Sequence, residues 1–181
     1  MPHLHTEPGQ RDITVSALIV RLVDDEWRCL VHLHRRFGTL MQVGGHIDLD
    51  ETPWAALAHE LTEESGYTLD DLQVLQPFPH VGPAPSGNDL PLPAYINSHR
   101  VDDTPHYHVD LAYALVAEAE PTRPPGPGES TDLRWYTPDE LDADSLVIAT
   151  TAYHYRDVIE RIIPQWHRVD ASGYPLTLEP E

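Results

Sequence analysis

The order of elements along this 181-residue chain predicts an α/β fold, a mixed β-sheet with one helix on each side. Three observations carry that prediction. Residues 13–23 (ITVSALIVRLV) and 107–117 (YHVDLAYALVA) are long apolar, β-rich runs that suit buried strands. Trp54, Leu57, Ala58 and Leu61 recur at helical spacing and make one core-facing stripe. A second helical pattern follows over residues 147–169, through Ile148, Tyr155, Ile159, Ile162, Ile163 and Trp166, with an interruption near Pro164.

The elements follow in order. Residues 1–11 are polar, carry Pro2, Pro8 and Gly9, and are expected to be a loose tail. After the strand at 13–23, Asp24, Asp25 and Glu26 turn the chain. Residues 27–34 (WRCLVHLH) return as a second strand, with Trp27, Cys29, Val31 and Leu33 on one face. A polar loop then carries the adjacent cations Arg35 and Arg36, and residues 40–43 form a short strand leading into Gly44 and Gly45. Thr52 is the expected N-cap of the first helix, Pro53 suits its first position, and Gly66 ends it. A strand begins at 72–75, and the Pro- and Gly-rich stretch 76–93 has the character of a functional loop. Strands are expected at 94–101 and 107–117, a rigid connector at 121–128, a strand at 133–136 and a helix start at Pro138. The last dozen residues are expected to be loose, and no internal repeat is present.

Composition narrows the function. A net charge of −19 argues against a nucleic-acid polymer or an anionic membrane as partner. No stretch reaches membrane-spanning length, and residues 1–12 lack the apolar core of a secretion signal. The single cysteine, Cys29, points into the core and makes no internal disulfide, so a cytoplasmic protein is expected. All eleven basic residues are Arg. A phosphate substrate would need bound cations and local arginines to invert the acidic field.

The chemistry is concentrated in residues 45–67, where Glu51, Glu60, Glu63 and Glu64 lie between two glycines. Glu60, Glu63 and Glu64 fall at i, i+3 and i+4 of the helix, on a face expected to be more exposed than the apolar stripe. Clustered like charges repel, and such a carboxylate set suits a hard divalent cation such as Mg²⁺.

This stretch resembles the Nudix box, G-x5-E-x7-R-E-U-x-E-E-x-G-U with U a bulky apolar residue. Gly45, Glu51, Glu60, Leu61, Glu63, Glu64, Gly66 and Tyr67 hold the required places, and His59 stands where the box has Arg. The runs CLVHLHRRFGTLMQVGGHID, HYHVDLAYALVA and ESTDLRWYTPDEL are also similar to the family, so the resemblance covers residues 12–141. It leaves 142–181 as a helical extension and tail. The resemblance implies a Nudix-type α/β/α sandwich and Mg²⁺-dependent hydrolysis, with Mn²⁺ as a possible substitute. The substrate class it implies is a nucleoside diphosphate linked to another group, with water attacking a phosphorus. Glu60, Glu63, Glu64 and the Gly44 carbonyl match the family's metal ligands. Glu51 matches a supporting glutamate, and a homodimer is possible.

His59 can imitate the family arginine when protonated, which surrounding carboxylates favour. Candidates for substrate contact are Arg35, Arg36, His46, Arg100, His106 and His108, with His99 on the neighbouring strand. His106 and His108 share a strand face. A histidine zinc site lacks HxxxH support, and HxH pairs are weak evidence. Glu129 and Asp110 are candidate general bases. A small nucleotide or nucleotide sugar fits better than capped RNA, because no basic stripe is present. Two other classes compete. A nucleotide sensor would bind without releasing phosphate. An isoprenoid diphosphate isomerase would need a reactive cysteine in a polar site, which Cys29 does not supply.

Overall fold

The computed structural model describes residue 7 and residues 9–79, 88–101 and 105–177. The elements run β1 (Arg11–Val23), β2 (Glu26–His34), β3 (Thr39–Met41), β4 (Val43–His46), α1 (Pro53–Glu60), β5 (Leu72–Gln76), β6 (Tyr95–Arg100), β7 (Tyr107–Ala117), β8 (Leu133–Tyr136), α2 (Pro138–Ala143), α3 (Ala149–Asp157) and β9 (His167–Asp170). They form one nine-stranded sheet ordered β3-β2-β1-β7-β5-β9, with β4 on β1, β6 on β7 and β8 on β2. It is mixed: β1 and β7 are parallel, and the other ladders are antiparallel. Asp24 and Asp25 both take positive φ (49° and 63°), the geometry that a tight hairpin between β1 and β2 demands.

Strand β1 is the spine, and its two faces serve two cores. Val15, Ala17 and Ile19 pack with Trp54, Leu57 and Leu61 beneath α1. Leu18 and Val20 pack with Tyr155, Val158 and Ile162 of the α3 region on the opposite side. The α/β/α sandwich is therefore present, with α1 on one face and α2 and α3 on the other.

Strand β1 also splits the sheet. Its first half pairs with β4 (Thr14↔His46 to Ala17↔Val43), and its second half pairs with β2 (Val20↔Cys29 to Val23↔Glu26). Where the partners diverge, the fully buried Tyr155 of α3 inserts its hydroxyl. That oxygen accepts from the Ile19 amide (3.3 Å) and donates to the Leu30 carbonyl, so two backbone groups at the fork stay paired.

Within 142–177, the described part of the expected C-terminal extension, several residues pack into the two cores. Tyr155, Val158 and Ile162 fill the second core, and Ala171 lies in the first. Residues 167–170 are a strand, β9, on the edge of β5. Its sequence, HRVD, has no apolar periodicity; the free edge of β5 creates it. The expected N-terminal tail lies mostly outside the described residues. Among the described residues, no helix is long and apolar enough to cross a membrane.

Candidate active site

Helix α1 begins as its sequence requires. Thr52 Oγ1 accepts from the Ala55 amide (3.1 Å), and Pro53 occupies the first turn. Its end departs from a regular α-helix. Residues Leu61–Ser65 form a π-turn, closed by the Gly66 amide on the Leu61 carbonyl (3.1 Å). Gly66 is obligatory there: its φ is +78°, and a Cβ would stand 2.0 Å from the Arg123 carbonyl. The connector packs on the same turn, where the Gly126 amide donates to the Glu63 carbonyl (2.6 Å).

The three glutamates are not equivalent. Glu60 and Glu64 are each only 7% exposed, whereas Glu63 is largely solvent-facing. The expectation of one exposed acidic face is corrected here: two of the carboxylates turn inward, against the glycines of β4. The Gly44 amide donates to Glu64 Oε2 (2.9 Å). A Cβ on Gly45 would lie 1.9 Å from Glu60 Oε1, so the carboxylate fills the space that a side chain would take. At Gly44 a Cβ would meet the Val15 carbonyl at 2.2 Å. The double glycine thus admits the strand on one side and the helix carboxylates on the other.

Burial raises the Glu60 carboxyl to about 7, with Glu63 and Glu129 adding to the effect and His59 opposing it. Burial raises Glu64 to about 8; the Gly44 hydrogen bond opposes this, and Glu60, Glu129 and Glu63 reinforce it. Among the described residues, no arginine pairs with either. His32 Nε2 lies 3.5 Å from Glu64 Oε2, but burial and the charge of His34 depress its pKa to about 4. It meets Glu64 as a neutral ring. Hard oxygen donors, buried together without a protein cation, fit a divalent ion of the Mg²⁺ kind.

His59 lies between two carboxylates of the box. Its Nδ1 lies 3.5 Å from Glu51 and its Nε2 lies 3.1 Å from Glu63. Partial burial disfavours its charge, but the hydrogen bond and charge of Glu63, with Glu51 and Glu60, outweigh that and raise its pKa. Glu51 stands back from the cleft and accepts from the Asp48 amide (3.4 Å), bracing the loop before α1.

The carboxylates stand at one end of a cleft of about 680 Å³. Its floor is the first half of β1 on the α3 side, where Thr14 and Ser16 replace the apolar Leu18 and Val20 further along. Their hydroxyls donate to Asp110 Oδ1 (2.9 and 3.0 Å), and Asn97 approaches Oδ2 (3.4 Å). Burial nevertheless leaves the Asp110 pKa raised. Arg35, Arg36, Arg100, His46, His99, His108 and Glu129 also line the cleft. Arg35 is tethered to the Gly128 carbonyl, and Arg36 lies over the Phe37 ring. Both candidate bases, Asp110 and Glu129, are therefore in reach of it.

His106 is the exception. It is buried against Asp12 (3.3 Å), outside the cleft wall, because it precedes β7 and its carbonyl is tied to the Val101 amide. The cleft residues that the sequence did not single out include His32, Thr14, Ser16 and Gln42. Each is a polar residue placed among apolar neighbours in or beside a strand, which was the available signal. Part of the 76–93 loop lies outside the described residues. Within the described part, Gln76 grips Leu92 through both amide groups (3.0 and 2.9 Å).

The family model for the NUDIX domain matches residues 12–161, and the chain belongs to the Nudix hydrolase superfamily. A Nudix-family hydrolase from Clostridium perfringens is similar at 25% identity and TM-score 0.65, over 83% of this chain and 97% of that one. The NUDIX domain of Shewanella oneidensis NrtR, complexed with ADP ribose, is similar at 15% identity and TM-score 0.61, over 84% and 88%. An Ap4A hydrolase of C. elegans is similar at 14% identity and TM-score 0.59, over 83% and 97%. No curated protein matches the chain.

Proposed function

We propose that this chain is a divalent-metal-dependent pyrophosphohydrolase of small nucleotide-type substrates, a nucleoside diphosphate joined to a second group. One observation carries the reading: Glu60 and Glu64 are buried together against Gly44 and Gly45, with pKa values raised to about 7 and 8. Buried carboxylates with raised pKa values in a cleft mark a functional site, and clustered hard oxygen donors suit a divalent cation. Glu60, Glu63, Glu64 and the Gly44 backbone would hold Mg²⁺ or Mn²⁺. When bound, the ion supplies Lewis-acid polarisation of a phosphoryl oxygen and neutralises the leaving phosphate.

The chain's own residues supply the rest. Arg35, Arg36 and Arg100 offer guanidinium groups for phosphate oxygens in an otherwise acidic protein. Asp110 and Glu129 are carboxylates able to take a proton from water. A cleft of about 680 Å³ suits a small molecule better than a polymer. The solved structures with ADP ribose and of an Ap4A hydrolase are too distant to name a substrate here; they support a nucleotide-handling fold. The isomerase alternative is disfavoured, because Cys29 is fully buried and burial pushes its thiol pKa far up.

The test is a cleavage panel with Mg²⁺ or Mn²⁺: ADP-ribose, dinucleoside polyphosphates, nucleotide sugars, NADH, and nucleoside di- and triphosphates. Metal-dependent cleavage of any member, reduced at least about 100-fold in Glu64→Gln, is expected. Silence across the panel from folded, metal-binding protein would overturn the hydrolase and favour a ligand-binding role.

A further inference from the structure

Beyond the glutamates, a second group of metal-ligating side chains lies on the same sheet. Asp12, His46 and His108 each present one ligand atom, and these atoms lie within 4.8 Å of one another. They come from three adjacent strands, β1, β4 and β7. In register, Asp12 stands beside His108 and Thr14 beside His46, so all three project from one face.

We infer that Asp12, His46 and His108 form a second metal site, of the zinc class and separate from the helix carboxylates. A tetrahedral ion with bonds of about 2.0–2.1 Å holds its ligand atoms roughly 3.3–3.5 Å apart. Asp12 Oδ2 and His46 Nε2 are 3.6 Å apart, close to that edge. The remaining spacings close by a side-chain movement of roughly an ångström. Two imidazoles and one carboxylate are the donor mixture that favours zinc-like ions over Mg²⁺.

The surroundings supply what such a site needs. The Asp12 side chain is fully buried, so its orientation is fixed. His106 Nε2 approaches the same Asp12 oxygen (3.3 Å), as an outer partner holds a ligating carboxylate. The His108 ring stands nearly perpendicular to those of His46 (86°) and His106 (88°). Central strands place the ligands more rigidly than loops could. Asp12 lies four residues before Ser16, the partner of Gly44, so its backbone sits roughly 13 Å along β1 from the glutamate end, and that of His46 roughly 7 Å. His46 and His108 also line the cleft, so the fourth coordination position opens there, to water or an oxyanion of a ligand.

Cobalt(II) titration of the tag-free protein, followed by its visible d–d absorption, tests this without reference to hydrolysis. The Glu60→Gln/Glu63→Gln/Glu64→Gln triple variant removes the helix carboxylates. One equivalent of tetrahedral cobalt, displaced by Zn²⁺, is expected to persist in that variant. Affinity is expected to fall at least about 10-fold in His46→Gln and in His108→Ala. Far-ultraviolet circular dichroism checks that each variant is folded, and His46→Gln alone decides if His108→Ala is not. Loss of cobalt binding in the glutamate variant, or unchanged binding in the histidine variants, would overturn the site. The cluster would then be a contact group of Asp12 with its neighbouring imidazoles and no metal site.

Discussion

The cleft buries carboxylates at both ends but treats them differently. On its floor, Asp110 receives the Thr14 and Ser16 hydroxyls, with Asn97 approaching its other oxygen. At the helix end, Glu60 and Glu64 have one firm donor between them among the described residues, the Gly44 amide. The floor satisfies its charges with side chains of this chain. The helix end leaves its charges to a partner from outside. Unrelieved burial at Glu60 and Glu64, rather than acidity as such, marks where a cation belongs.

The largest break in that comparison should come from Gly45→Ala. The added methyl occupies the position of the Glu60 carboxylate, which must move. Metal-dependent hydrolysis is expected to fall about 10- to 100-fold, while far-ultraviolet circular dichroism and Asp110-side packing stay unchanged. An alanine variant with full activity would show that Glu60 need not sit there.

Backbone groups obey the same rule, and Tyr155→Phe tests it. Removing the hydroxyl orphans the Ile19 amide and the Leu30 carbonyl in a dry core. The expected loss is about 1–3 kcal/mol, measured by denaturant titration. A neutral result would mean that the fork closes on itself.

Proton linkage sharpens the contrast. Glu60 and Glu64 have folded-state values of about 7 and 8, above the ordinary 4.5, so the metal-free folded protein holds more protons than the unfolded chain. Stability from these groups is therefore greatest in acid and falls as pH rises through 8. Between pH 6.5 and 8.5 the metal-free melting temperature should drop by about 5 °C. Saturating Mg²⁺ should remove most of that drop, and Glu64→Gln should flatten it. A flat profile in the unaltered protein would contradict the burial argument.

The smallest effect is expected from His59→Arg. The ring already bridges Glu51 and Glu63 from a half-exposed position, so an arginine should change activity by no more than about fivefold. The change should appear as a gain at alkaline pH, where the imidazole loses its proton and the guanidinium does not. A large gain at every pH would mean that His59 cripples the site.

Much of the site was legible in the sequence because its determinants are local. The cap at Thr52, the stop at Gly66 and the glutamate spacing are all set within one helix and its flanks. Strands β1, β2, β7 and β8 were legible from apolar runs. What escaped depends on distant partners. The HRVD segment is polar and becomes β9 only because β5 offers an edge. His32 looked like one more polar residue until α1 brought Glu64 to it. The π-turn and the inward tilt of Glu60 and Glu64 follow from packing against β4 and the 121–128 connector. The polar floor of Thr14 and Ser16 was hidden in a strand read only for its apolar content.

The Tyr155 fork also bears on how the chain is made. Strand β1 is synthesised first and ends up in the middle of the sheet. Its parallel partner β7 begins at Tyr107, and the hydroxyl that secures its fork arrives later still, at residue 155. A ribosome extending this chain can close one edge of β1 with β2 and β4, but the edge that takes β7 stays open until residue 107 and beyond have emerged. Completion of the fold waits on sequence-distant contacts, which makes folding slow relative to helical proteins of similar size. The net charge of −19 is then an asset during that interval, since mutual repulsion keeps unfinished chains apart.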